Sequence, residues 1–213
     1  MPGDVADGQD RAVRAATRNE LDPAADALSA AFVHDPILDW FMREDAARDA
    51  ARLRFFRLIV EEVAFPDGAV EQPMGRGAAA LWIPSEKLHA PPLHRELRAL
   101  PTLLHATGLN RFPRLMTLRT AMDERHPMER PHDYLWFVGV EPRMQGQGLG
   151  SLLLKDRTDR LDAAGRCAFL QTATPRNVTL YHRHGFEVVA DYRPAPDGPL
   201  IWAMWREPKG ARA

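Results

Sequence analysis

Three glycines, Gly146, Gly148 and Gly150, alternate with longer side chains between an apolar run that ends Val138-Gly139-Val140 and another that opens at Leu149. Glycine lets a chain turn and lets a ligand approach the backbone with no Cβ in the way, so such a loop can aim consecutive N–H groups at an anion. A helix starting at Leu149 would add its unpaired first-turn amides and the positive end of its dipole. The chemistry offered by Gln145, Gly146, Gln147, Gly148, Leu149, Gly150 and Ser151 is therefore phosphate binding. It is not a Walker loop, because Gly150-Ser151 lacks the lysine that motif requires.

Other reactive side chains point to less. The eight histidines are scattered. His182 and His184, two apart on a short expected helix, face different ways, so they read as solvated side chains and no metal site is expected. Cys167 opens an apolar strand with no activating partner near it in sequence and reads as a buried structural thiol. Lys87, His89, His94, Arg95, Arg98, Arg111, Arg114 and Arg119 make one region basic, which reads as the wet face of a helix pair, with phosphates or an acidic substrate as the alternative.

The glycine loop needs a strand before it and a helix behind it. Residues 134–140 are nearly all apolar, as a strand buried on both faces would be. The helix from Leu149 should run to about Ala164 and end at Gly165. A right-handed crossover would then lay residues 167–172 parallel to the first strand. Upstream, residues 11–17 read as a strand. Leu21, Ala25, Leu28, Ala31 and Phe32 recur at helical spacing, Asp35-Pro36 restarts a short helix, and residues 45–65 form a long amphipathic one. Residues 69–72 and 77–84 read as a hairpin. Between 84 and 131 two helical patterns, around Leu93 to Leu104 and Phe112 to Leu118, form an insertion. A short helix at 176–184 and strands at 186–192 and 200–206 complete the chain.

A chain of 213 residues with 45% hydrophobic content supports one domain with a real core. Residues 1–10 read as a disordered tail, 11–207 as the domain with its insertion at about 84–131, and 208–213 as a second tail. A formal net charge of −1 removes the bulk electrostatic argument for nucleic acid or an anionic membrane. No stretch approaches the roughly 18 apolar residues of a membrane helix, and there is no signal-peptide pattern. With a single cysteine, a cytoplasmic protein is the expectation. The oligomeric state stays open, a homodimer included.

The spacing of Gln145, Gly148 and Gly150, with Val140 and Pro142 ahead of them, resembles the main signature of the GNAT superfamily of acetyl-CoA-dependent N-acyltransferases. Asn177, Leu180-Tyr181 and Gly185-Phe186 resemble a second element of that family. Within it, residues 130–206 are similar to puromycin N-acetyltransferase-like antibiotic acetyltransferases, through Gln145 to Ser151, Ala168 to Thr172, Pro175-Arg176-Asn177 and the ending around Trp202, Met204 and Arg206. The resemblance implies an α/β fold of GNAT type, a mixed twisted sheet flanked by helices with a helical insertion before the fourth strand. It implies acetyl-CoA as donor co-substrate, no metal, and direct transfer of acetyl to a small-molecule amine in a ternary complex. The loop backbone would hold the pyrophosphate. Val138, Gly139 and Val140 would pair with the pantetheine arm and polarise the thioester, and Asn177 would bond the same arm.

Tyr181 suits the role of acid toward the leaving thiolate, since a phenol with an ordinary pKa of about 10 stays protonated at neutral pH. Its structural alternative is packing under Phe186, and that of Asn177 is capping its own helix. Trp40, Trp82 and Trp136 could be core, or could line an acceptor pocket in which Asp35 or Asp133 attracts a cationic amine. Glu61, Glu62, Asp133 or a water chain are the candidates for the base. Gln171 stands where related sequences often carry Glu, which leaves open a changed acceptor site. The functional alternative is a non-catalytic acyl-CoA sensor; a nucleotide binder is a weaker third.

Overall fold

Apolar runs too short for helices build the centre of the molecule. The computed structural model describes residues 12–75, 77–88 and 92–210, so the tail expected at 1–10 and the last three residues of the C-terminal one lie outside the described residues. Seven strands form one sheet in the order β1-β2-β3-β4-β5-β7-β6. They are β1 (Val13–Ala15), β2 (Ala69–Pro73), β3 (Ala78–Pro84), β4 (His132–Val140), β5 (Cys167–Thr172), β6 (Glu187–Tyr192) and β7 (Ile201–Arg206). β3 reads Ala-Ala-Ala-Leu-Trp-Ile-Pro and is buried along almost its whole length, with Trp82 fully enclosed. Such a strand belongs in the middle of a sheet, and β3 pairs antiparallel with both β2 and β4. All pairings are antiparallel except that of β4 with β5.

The helices cover both faces. On one side lie α1 (Leu21–Ala31), α2 (Pro36–Phe41) and α3 (Arg48–Ile59), the last continuing through a π turn at Val60–Ala64 and a final turn at Phe65–Asp67. Phe32, Phe56 and Phe137 meet there with ring centroids 5.2–5.4 Å apart, joining α1 and α3 to β4. Close packing is possible because Gly139 presents no side chain: a Cβ there would stand 2.7 Å from Ala31 Cβ. On the other side α5 (Leu149–Ala163) and α6 (Pro175–Arg183) pack Leu153, Leu154, Leu161, Tyr181 and Phe186 against Leu135, Ala168, Leu170 and Met204.

The insertion is α4 (Leu93–Asp123), two helical arms broken at Gly108, whose φ of 64° a residue with a side chain rarely adopts. The carbonyls freed at the end of the first arm are taken up by Arg43, whose backbone N–H donates to Ala106 (2.9 Å) and whose guanidinium donates to His105 (3.1 Å). The arginines of the basic run are paired with carboxylates rather than left as an anion site. Arg95 pairs with Asp67, Arg98 with Glu62, Arg111 with Glu44, Arg114 with Asp197 and Arg119 with Glu96, while His89 lies outside the described residues. These partners come from distant or unremarkable positions, which is why charge patterning in the sequence left the question open.

Candidate active site

β4 and β5 begin as a parallel pair and then part. Their register runs from His132↔Cys167 to Leu135↔Leu170 and stops, although β4 continues to Val140 and β5 to Thr172. On its other edge β4 stays bound to β3, with one irregularity: Leu81 faces Phe137 but Trp82 faces Leu135, so Trp136 is an extra, bulged residue at the point of parting. Residues 136–140, including Val138, Gly139 and Val140, thus border an opening along which no strand pairs with them.

The glycine loop closes one end of that opening. Gly146 and Gly148 have φ of 80° and 81°, the left-handed region that favours glycine, whereas Gly150 sits in the first turn of α5. Among the described residues no acceptor meets the backbone N–H groups of residues 146–151; the first amide of α5 to find one is Leu152, bonded to Gly148 O at 2.9 Å. The loop is tied back by Gln145, whose side-chain amide donates to Val140 O at 3.1 Å, so that carbonyl is already engaged. A cradle of unpaired amides at the N-terminus of a 15-residue helix fits a diphosphate.

Tyr181 lies at the fork, buried in the cluster that holds Leu135 and Leu170, the last paired residues, with its ring 6.0 Å from Phe186. Burial, and next the Asp35 carboxylate, raise its pKa well above that of a free phenol, so it stays protonated. Its hydroxyl makes no hydrogen bond to a described residue. Asn177, one turn earlier on α6, also leaves its side chain unbonded among the described residues. It is not the cap of the helix: Thr174 holds that place and its carbonyl accepts the Asn177 N–H at 2.9 Å, because Pro175 starts the helix one residue earlier than the pattern suggested.

On the opposite side of the fork Gln171 joins two phenols. Tyr134 donates to its Oε1 at 3.4 Å, and its Nε2 donates to Tyr192 at 3.0 Å. The amide accepts from one phenol and donates to the other, and the same Nε2 lies 3.4 Å from the Met122 carbonyl, which can only accept. Arg125, 4.4 Å from the centroid of the Tyr192 ring, also lines an open groove of about 390 Å³ with Thr117, Thr120 and Arg193. Asp35 caps α2, its Oδ1 accepting from Ile37 and Leu38 at 3.0 and 3.1 Å, and burial pushes its pKa up to about 6.

Several expectations need correction. Asp133 cannot attract an amine or act as a base: it is buried beneath α5, one oxygen held by Arg157 and the other by Arg166. Arg157 lies one turn beyond Leu153 on the same helix, so a salt bridge with the strand beneath was hidden only by sequence separation. Glu61 is exposed and Glu62 pairs with Arg98, on the far side of α3. Trp82 is core, and Trp40 packs against α4 with its N–H on Asp197 at 3.2 Å. His184 is not a free solvated side chain: its Nε2 lies 2.7 Å from Ser151 Oγ. Cys167 is buried as expected, with Arg130 and Glu207 within 3.3 Å. Among the described residues there is no group of three or more His, Cys, Asp or Glu able to hold a metal, and no helix long and apolar enough to cross a membrane.

Comparison with known proteins agrees with this geometry. Residues 117–188, about a third of the chain, match the acetyltransferase (GNAT) domain family. A histone acetyltransferase and related acetyltransferase from Corynebacterium glutamicum superposes with a TM-score of 0.71 at 24% identity, over 94% of this chain and 98% of that one. A polyamine N-acetyltransferase from Drosophila melanogaster gives 0.60 at 19%, over 92% and 99%. The C-terminal condensation domain of Ebony, bound to beta-alanyl-dopamine, gives 0.63 at 11%, over 92% and 98%. The protein has the GNAT fold, a mixed seven-stranded sheet flanked by helices, and the stretch that matches the GNAT acetyltransferase domain family spans the fork and its glycine loop.

Proposed function

We propose that this protein transfers acetyl from acetyl-CoA directly to a primary amine of a small molecule, both substrates being bound together. The observation that carries the reading is the fork between β4 and β5, with a cradle of unpaired amides at one end and Tyr181 at its base. Bound there, the co-substrate supplies an activated acyl group on a thiolate leaving group. The amides of residues 146–151 and the side chain of Ser151 hold its diphosphate. Backbone groups of Val138 and Gly139 and the side chain of Asn177 pair with the pantetheine arm and align the thioester.

The acceptor enters from the side of Trp136, Gln171 and Tyr192, through the groove beside Arg125. Asp35 is ionised at neutral pH, since its pKa is about 6, and its Oδ2 is free of the capping bonds. It holds the incoming ammonium and takes one proton from it, directly or through water, which frees the nitrogen lone pair for attack on the carbonyl carbon. As the C–S bond breaks, Tyr181 gives its proton to sulfur and recovers one from the new amide nitrogen. Polyamine and agmatine N-acetyltransferases share the fold, which supports a small cationic acceptor. An antibiotic amine remains a candidate through the resemblance of residues 130–206.

The test is thiol release from acetyl-CoA with a panel of primary amines, for the wild type and Tyr181→Phe. Amine-dependent release that falls at least a hundredfold in the variant, with CoA affinity kept, supports the reading. Undiminished release at every pH would remove Tyr181 from the chemistry.

A further inference from the structure

Ser151 and His184 meet across two helices, and the direction of their hydrogen bond decides what Ser151 can offer a ligand. Ser151 is the third residue of α5, in the turn whose amides point into the glycine loop. His184 caps the C-terminus of α6, its backbone N–H donating to Tyr181 O and its Nε2 standing 2.7 Å from Ser151 Oγ. A hydroxyl has one hydrogen. If the Nε2 lone pair accepts it, Ser151 turns only lone pairs toward the loop and repels an anion. If Nε2 carries a proton and donates to Oγ, the hydroxyl hydrogen is free to donate to a phosphate oxygen.

We infer that His184 is a positioning residue for the CoA diphosphate, donating from Nε2 to Ser151 so that Ser151 donates to phosphate. The inference rests on the acetyl-CoA reading above. Protonated imidazole satisfies this arrangement in either ring orientation, whereas neutral imidazole does so in one tautomer only, so binding and protonation favour each other.

The groups around His184 set where that happens. Lys155 stands one turn beyond Ser151 on α5 and is paired with Asp159. Arg183 precedes His184 on α6, Arg206 of β7 donates to His184 O at 2.8 Å, and Lys209 follows β7. Asp162 is already taken by Arg206 and by the Lys209 amide, and Glu187 by His182 at 3.4 Å. Burial first, then these cations, hold the free imidazole below its ordinary pKa. A bound diphosphate reverses that field, so CoA binding takes up a proton.

Calorimetric titration of the whole protein with CoA alone, between about pH 5.5 and 8, tests this without any acceptor. The expected result is affinity that rises as pH falls, with proton uptake visible as a dependence of the heat on the buffer's ionisation enthalpy. His184→Ala should bind CoA about tenfold more weakly, with only the pH dependence that the phosphate monoester of CoA itself brings, whose second pKa is about 6. His184→Gln, whose amide can donate to Ser151, should keep most of the affinity while losing the proton uptake that the wild type shows beyond that. In a Ser151→Ala background, His184→Ala should add nothing. Tight CoA binding with no pH dependence beyond that of CoA itself and indifferent to His184→Ala overturns this inference alone. Failure of the wild type to bind CoA at any pH overturns the acetyl-CoA reading with it.

Discussion

The capping duty of Asp35 and its proposed part in the chemistry can be separated by a substitution. As the cap of α2 it satisfies the N–H groups of Ile37 and Leu38 with one oxygen, and as an ionised group beside Tyr181 it is placed to receive a proton. Asparagine caps a helix about as well as aspartate, so Asp35→Asn removes only the charge. The wild type should gain activity as pH rises through about 6, while Asp35→Asn should lose at least a hundredfold in turnover and lack that limb. Stability should move the other way. Because the folded pKa is raised above the ordinary value of about 4, the folded state holds the extra proton between pH 4 and 6, and the wild type loses stability as pH rises across that window. Asp35→Asn lacks this loss, so its melting temperature at pH 7 should equal or exceed the wild type's. A pH–rate profile and thermal melts check both, and unchanged turnover in Asp35→Asn would return the base to a water chain.

At the scale of elements, the glycine loop works through backbone conformation rather than space. A Cβ at Gly148 would meet nothing within 4 Å, and the same is true of Gly165 at the end of α5, yet both have positive φ, 81° and 60°. Alanine at either position should therefore cost a similar amount of stability, about 1–2 kcal/mol, through the left-handed conformation alone. Only the loop is proposed to hold CoA, so Gly148→Ala should also weaken CoA binding about tenfold while Gly165→Ala leaves it unchanged. Melting curves and CoA titration of the two variants separate the contributions. Equal CoA affinity in Gly148→Ala and Gly165→Ala would mean that the loop backbone does not hold the cofactor. The bulge at Trp136 belongs to the same machinery, since it changes the course of β4 where pairing with β5 ends.

For the molecule as a whole, periodicity and punctuation in the sequence located nearly every element. Long apolar runs declare strands, and Gly165, Gly185 and Asp35-Pro36 mark the ends of helices by conformational necessity. The conformation of the glycine loop was legible too, because it is set by the backbone of one continuous stretch. What escaped the sequence were contacts between distant segments. Asp133 looked free because Arg157 and Arg166 lie 24 and 33 residues away. His184 looked solvated because Ser151 is 33 residues upstream, and Gln171 gave no hint that it bridges Tyr134 and Tyr192. Neither an alternation of residue types nor a spacing rule encodes such pairs; they follow only once β4, β5 and their two covering helices are assembled. The central claim, that the assembled fork transfers acetyl rather than merely sensing acyl-CoA, is tested most directly by mass spectrometry of a mixture of primary amines incubated with the protein and acetyl-CoA. An acetylated amine should form in step with free CoA, at least a hundredfold more slowly with Tyr181→Phe. Tight CoA binding with no acetylated product from any amine would contradict it.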